Sequence, residues 1–232
     1  KGKSMKKILL TVFAVCVLNV LPSQAIEIGK SIGLSLSMND VGTKVTDDID
    51  NNGTITTTKN IEDTFGIASL FGELNFKANR AVLTVGVDWI PFGAEVHHRS
   101  ASQSSVKAIA NGAAVTGTNS GTLDVENHTT WYIQPGAMVT DNTLLYLTFG
   151  TINADAQTLQ SSISSGAKTV DQTMDGTTAG IGIKRFNDSG GFFRLEYAET
   201  DYDKISITTT NSTKITADAE NTRLTLSIGK SF

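Results

Sequence analysis

Eight stretches of alternating apolar and polar residues are joined by connections that switch regularly between long and short, and this rhythm restricts the fold more than any single residue. The stretches are 26–38, 65–77, 81–90, 129–139, 143–152, 177–186, 191–200 and 221–232. Period-2 alternation is the mark of a strand with one apolar and one polar face. Each stretch is about the length a tilted strand needs to cross a bilayer, roughly 9–11 residues. No amphipathic helix of useful length and no repeat of fixed period accompanies them.

The long connections are 39–64, 91–128, 153–176 and 201–220, and the tight turns between them are 78–80, 140–142 and 187–190. An up-and-down barrel whose N-terminus lies in the periplasm puts every tight turn on that side and every long segment outside, and an even strand number returns the C-terminus to the periplasm. Soluble sandwiches, the competing fold class, follow no such side rule. The long segments are rich in Thr, Ser, Asn, Gly and Asp, which cannot bury a core. Their threonine runs, Thr56–Thr58 and Thr208–Thr210, favour extended structure, so some strands are expected to continue as hairpins beyond the membrane.

The start of the chain bears on compartment. Met5, Lys6 and Lys7 lead into an uncharged run from Ile8 to Leu21, followed by Pro22, Ser23, Gln24 and Ala25. A basic start, an apolar core too short for a spanning helix and small residues before Ile26 are the features of a cleaved secretory signal peptide. The chain is therefore expected to divide into 1–25, comprising Lys1–Ser4 upstream of Met5 and the signal peptide, and 26–232, a single barrel domain. An uncleaved anchor is the alternative. Cys16 would fit a lipoprotein signal, but Val15 stands where a small residue is expected. Cleavage before Ile26 leaves a mature chain with no cysteine, hence no disulfide and no thiol chemistry. It also removes Lys1, Lys3, Lys6 and Lys7 from a chain whose formal net charge is already −4. An acidic chain with no basic stripe excludes nucleic acid as a partner.

Assigning faces strand by strand gives the interior. Ile28, Ile32, Leu34, Leu36 and Met38 oppose Glu27, Gly29, Ser31, Gly33, Ser35 and Ser37; Leu83, Val85, Val87 and Trp89 oppose Thr84, Gly86 and Asp88. In a membrane barrel the apolar set faces lipid and the polar set the lumen. The polar faces carry Glu27, Glu73, Asp88 and Glu196 against Lys77, Lys184, Arg194 and Arg223, four acids and four bases. An eight-stranded barrel is only wide enough for side chains to fill, and buried charges must pair. The lumen is therefore expected to be plugged by an ion-pair and hydrogen-bond network, with the alternative that several of these charges lie at the wet rims. Trp89 and Trp131 are expected at the outer interface on neighbouring strands, and Phe76, Phe193 and Phe232 at the inner one.

The final strand places Leu224, Leu226, Ile228 and Phe232 on one face and Arg223, Thr225, Ser227, Gly229 and Ser231 on the other. It resembles the closing strand of Gram-negative outer-membrane β-barrels, whose aromatic terminus is read by the assembly machinery. Lys230 departs from that pattern, which usually has an apolar or aromatic residue two before the end; at an interface it can snorkel. With the architecture, this makes the mature chain similar to the small eight-stranded outer-membrane barrels of the OmpA transmembrane-domain and OmpX type, and no periplasmic domain is expected after Phe232. The resemblance implies a Gram-negative cell-surface location, with outer-membrane lipids and the assembly machinery as partners. It implies a structural or surface-interaction role: membrane integrity, adhesion, or a receptor surface for host or phage molecules.

Candidates for chemistry are sparse. His97 and His98 lie with Glu95 and Arg99 beyond the third strand, and His128 begins the fourth. A Ser–His set can be drawn from Glu95, His97 and either Ser100 or Ser102, at the height where some outer-membrane lipid enzymes and proteases carry theirs, but spacing alone supplies no catalytic geometry. A metal site at His97, His98 and His128 matches no established ligand spacing. The reading is therefore an all-β, eight-stranded antiparallel transmembrane barrel with no cofactor and no enzyme activity. A narrow porin-like channel and an outer-leaflet lipid enzyme are its rivals.

Overall fold

The computed structural model describes residues 26–48, 53, 55, 57–107, 114–162, 166–208 and 214–232; the expected signal peptide lies outside them. Ten antiparallel strands form: β1 (Glu27–Asp48), β2 (Thr57–Ala78), β3 (Ala81–Trp89), β4 (Ala94–Lys107), β5 (Ala114–Thr140), β6 (Thr143–Ser162), β7 (Gly166–Phe186), β8 (Gly191–Tyr202), β9 (Ile205–Thr208) and β10 (Lys214–Ser231). Eight of them close a ring in the order β1, β2, β3, β5, β6, β7, β8, β10 and back to β1. The remaining two, β4 and β9, pair only with the outer parts of β5 and β10.

Closure joins the first strand to the last. Ser31 stands opposite Ser231, Leu34 opposite Ile228, Leu36 opposite Leu226 and Met38 opposite Leu224. The backbone of Phe232 is zipped to Lys30, whose N–H donates to the Phe232 carbonyl at 3.1 Å while the Phe232 N–H donates back at 2.8 Å. A sheet closed in this way has no free edge in the hydrocarbon, where an unpaired backbone group would cost several kcal/mol.

The strands do continue as hairpins into the long connections, and further than the threonine runs alone implied. β6 and β7 remain paired out to Ser162 opposite Gly166, across most of the segment read as an outer loop. β1 and β2 pair from Glu27–Lys77 to Asp47–Thr57. β5 has 27 residues, about 90 Å of strand at roughly 3.3 Å per residue, and crossing a bilayer core of about 30 Å at a tilt near 45° uses less than half of it. Polar composition did not prevent pairing because a strand needs only backbone hydrogen bonds, and β-branched threonines suit the pleat. Where β5 leaves the ring, Glu126–Thr129 forms a bulge containing Asn127 at φ +52°, a left-handed conformation that asparagine tolerates better than most residues.

The opposite end is compact. Asn79, at φ +56°, makes the turn from β2 to β3. Between β7 and β8 the side-chain oxygen of Asn187 accepts from the Ser189 and Gly191 N–H groups, at 3.1 and 2.8 Å.

The polarity of the wall is inverted relative to a soluble protein. Met38 is 63% exposed and Leu226 61%, while Lys184 is 1% exposed. A continuous apolar exterior around a polar interior is stable only in lipid. No helix among the described residues is long and apolar enough to cross a membrane; the strands do the crossing.

Candidate functional site

The interior of the ring has two halves of different chemistry. The half nearer the tight turns is solid. Glu73, on β2, is buried at its centre: Lys184 Nζ on β7 donates to Oε2 at 2.7 Å, Arg194 Nη1 on β8 to Oε1 at 2.7 Å, and the Tyr132 hydroxyl on β5 to Oε1 at 3.0 Å. Arg194 uses its remaining donors on Ser227 (Nε, 3.0 Å) and Ser35 (Nη2, 3.3 Å), two hydroxyls that are themselves 2.9 Å apart. Six strands of the ring, β1, β2, β5, β7, β8 and β10, are tied across the lumen by this one cluster.

Below it the lumen is stopped by rings. Arg194 lies over Phe71 with 4.2 Å from its guanidinium carbon to the ring centroid, and Lys184 over Phe192 at 4.7 Å. The two rings are 6.0 Å apart, and Phe186 adds a third at 5.6 Å from Phe192. Space for inward aromatics comes from the neighbouring strands. Phe71 stands opposite Gly33, Tyr132 opposite Gly86, Tyr146 opposite Gly182 and Phe192 opposite Gly229. A Cβ at any of these four glycines would collide with the facing ring. The small partner lets each aromatic lie flat across the sheet and fill a lumen that two ordinary side chains would leave porous.

A second cluster lies higher. Glu196 Oε2 accepts from Thr148 at 2.8 Å and from Gln134 at 3.0 Å, and its Oε1 is 3.5 Å from Arg223 Nη2. Asp88 accepts from Ser69 Oγ at 2.9 Å and has no ion pair among the described residues. Of the eight charges assigned to the lumen, Glu73, Lys184 and Arg194 meet directly and Glu196 meets Arg223. Glu27 and Lys77 do not belong there: they lie 3.6 Å apart at the end of the barrel with side chains 77% and 48% exposed, a pair in water at the rim.

Above these clusters the lumen opens into a chamber. Its floor is Asn39, His128, Thr130, Gln134, Arg223 and Thr225, and its walls are Val41, Phe65, Ile67, Ile152, Met174 and Tyr202. The sequence reading assigned only polar residues to the lumen; here the inward face turns apolar. The signal was present in the parity, since Phe65 and Ile67 fall on the same face as Glu73, and Met174 on the same face as Lys184. Tyr132, Gln134 and Thr148 were missed for the same reason: each follows the inward parity of its strand.

The aromatics expected at the two interfaces stand on the outside. Trp131, 61% exposed, is opposite Val87, and Trp89 is two positions further along β3. Phe193 and Phe232 are exposed and Phe76 partly so, near the tight-turn end. Lys30 and Lys230 also face outward at that end, where long stems lie along lipid while the ammonium reaches the interface. Leu224, Leu226 and Ile228 continue the lipid-facing row of the closing strand.

The histidines are not gathered. Backbone pairing sets His97 opposite Leu123 and His98 opposite Thr122, and Thr122 is six residues from His128 along β5, about 20 Å at strand spacing. His128 is buried toward the lumen. The three cannot share a metal ion, and no group of candidate metal ligands occurs among the described residues. The side chains of Glu95, His97, His98, Arg99, Ser100 and Ser102 lie outside the described part.

A closed eight-strand ring, apolar outside and charged within, decides the fold. The architecture is that of a small outer-membrane β-barrel. No family model matches the chain, and no curated protein does. Solved structures similar to it include Ail, the attachment invasion locus protein of Yersinia pestis, in complex with the heparin analogue sucrose octasulfate (13% identity, 88% of this chain and 99% of that one, TM-score 0.42). They also include the outer membrane protease OmpT of Escherichia coli (9%, 90% and 99%, TM-score 0.49) and Neisserial surface protein A (10%, 90% and 100%, TM-score 0.37).

Proposed function

We infer that this barrel is a surface protein of the Gram-negative outer membrane, held there by its lipid-facing belt and acting through the hairpins that continue beyond it. The observation that carries this reading is the stopper of Glu73, Lys184, Arg194, Phe71 and Phe192, which fills the periplasmic half of the lumen and opposes a transport role. Strand continuing far past the membrane is costly to build and gives a stiff platform, which suits contact with a partner. The four outer segments carry sixteen acidic and seven basic residues. A sulfated glycan of the kind seen on Ail would be repelled by them; a basic host or phage surface molecule, or outer-leaflet lipid bridged by divalent cations, complements their charge. The role is structural and adhesive, without catalysis or cofactor. The C-terminal row Leu224, Leu226, Ile228 and Phe232 is the signal to the assembly machinery, and the leader through Ala25 is removed on export.

The test is conductance in planar bilayers. The purified barrel is expected to give no large stable steps, whereas a double variant Phe71→Ala/Phe192→Ala gives them. Stable steps from the unaltered protein would establish a channel and overturn the reading.

A further inference from the structure

The chamber above the stopper is built differently from the rest of the lumen. An interior that held only water would have polar walls all the way up, as the lower inward faces of β1 and β2 do at Ser31, Ser35 and Asn75. Instead Val41, Phe65, Ile67, Ile90, Ile152 and Met174 turn inward from four strands and the segment after β3, and Phe92 stands at the mouth. Facing apolar surface inward costs solvation unless something apolar covers it.

The floor has the opposite character. Thr130, Gln134 and Thr225 are more than nine-tenths buried, and Thr130 Oγ1, Gln134 Oε1, Thr225 Oγ1 and the Nε of Arg223 have no hydrogen-bond partner among the described residues. All four residues border the chamber. Arg223 is loosely held, since its contact with Glu196 is 3.5 Å while Glu196 already accepts two shorter bonds. Buried polar atoms without partners are uncommon, and a group of them in one place calls for an explanation. His128 Nδ1 and Asn221 Oδ1 border the same chamber and are likewise unpartnered among the described residues, while the carboxylates of Asp88 and Glu196, also in its lining, already accept from Ser69 and from Thr148 and Gln134. The group thus comprises donors at Arg223 and the two threonines and an acceptor at Gln134, so it suits a head that both gives and takes hydrogen bonds. The centres of water-sized spheres have about 100 Å³ to move in, where a single water needs roughly 10–15 Å³. That is space for a slim molecule, not for a peptide or sugar chain.

We propose that the chamber is a binding site for a small aliphatic carboxylic acid, entered from the cell exterior, with its chain against Phe65, Ile67, Ile152 and Met174 and its carboxyl on Arg223, Thr130, Thr225 and Gln134. The ionised carboxyl accepts from Arg223 Nε and the threonine hydroxyls; the protonated form also donates to Gln134 Oε1. The stopper closes the far end, so the site holds its ligand at the surface and does not conduct it. This goes beyond the surface role and does not depend on it, because a barrel with a partner on its hairpins and one without would both contain the chamber.

The test uses the whole barrel refolded into lipid nanodiscs and titrated with carbonyl-labelled decanoate followed by NMR. One saturable site per barrel is expected, with decylamine at least tenfold weaker because its ammonium cannot accept from Arg223. Arg223→Gln is expected to weaken decanoate at least tenfold, as loss of a charged hydrogen-bond donor does. Ala219→Phe, which fills the chamber from β10, is expected to abolish saturable binding. Both variants are checked by heat-modifiable gel migration, and if Arg223→Gln does not fold, Thr225→Val serves as the head-group variant, with several-fold weaker binding expected. Non-saturable uptake, or equal uptake by the unaltered protein and folded Ala219→Phe, places decanoate in the lipid or on the outer belt and overturns the proposal. A conductance result that overturned the surface role would leave these titrations unaffected, so the two can fail separately.

Discussion

Replacing Glu73 by Gln keeps the shape of the side chain and removes the one negative charge that Lys184 and Arg194 share. In the native barrel those cations make two hydrogen bonds of 2.7 Å to its oxygens, and Tyr132 adds a third at 3.0 Å. Lys184 and Arg194 are buried with side chains 1% and 4% exposed, so neither can turn to water when the carboxylate is gone. Breaking a buried pair from one side costs about 3–5 kcal/mol, because it strands the remaining charge; two stranded cations place Glu73→Gln at the upper end, about 5 kcal/mol. The assay is urea unfolding from lipid vesicles, read by the fluorescence of Trp89 and Trp131 as they leave the lipid face. With a slope of about 2 kcal/mol per molar urea, the midpoint is expected to fall by about 2.5 M. The double variant Glu73→Gln/Lys184→Met strands one cation instead of two, and its midpoint is expected to recover part of the loss. A fall of less than about 0.5 M for Glu73→Gln, or no recovery in the double variant, would refute the view that this carboxylate holds the interior together.

Further outcomes follow from the wall and its closure. Gly229→Leu drives a side chain into the ring of Phe192, and is expected to cost about 1–3 kcal/mol as overpacking does, measured as an earlier urea midpoint. Leu226→Arg puts a charge on the lipid face, where about 2–4 kcal/mol is expected at mid-membrane depth, whereas Thr222→Arg, exposed higher on the same strand, is expected to cost under about 1 kcal/mol in the same measurement. Deleting Phe232 removes both backbone bonds to Lys30, and a smaller fraction of heat-modifiable protein is expected in the outer-membrane fraction of expressing cells.

The lipid-facing register was legible because it is a local property. Strand parity fixes which residues share a face, and Leu34, Leu36, Met38, Leu226 and Ile228 stand together outside as their alternation implies. The same rule carries through the lumen, but its content there was misjudged. Phe71 and Tyr132 share the polar faces of their strands but were not assigned to the lumen, although each lies opposite a glycine that makes room for its ring. Hairpins beyond the membrane were expected at the threonine runs, but their extent was not legible, because composition reports the lack of a core, not the lack of a backbone partner.

The sequence by itself determined the strand number of the ring, the side on which its tight turns fall and the inverted polarity of its wall, since all three follow from period and spacing along the chain. Only the tertiary structure decided what the interior is. Glu73 and Arg194 are 121 residues apart, and no local pattern states that they share a bond while Glu27 and Lys77 meet in water instead. Contacts across the lumen depend on the tilt and stagger with which the ring closes, and that geometry separates a sealed base from an open chamber above it.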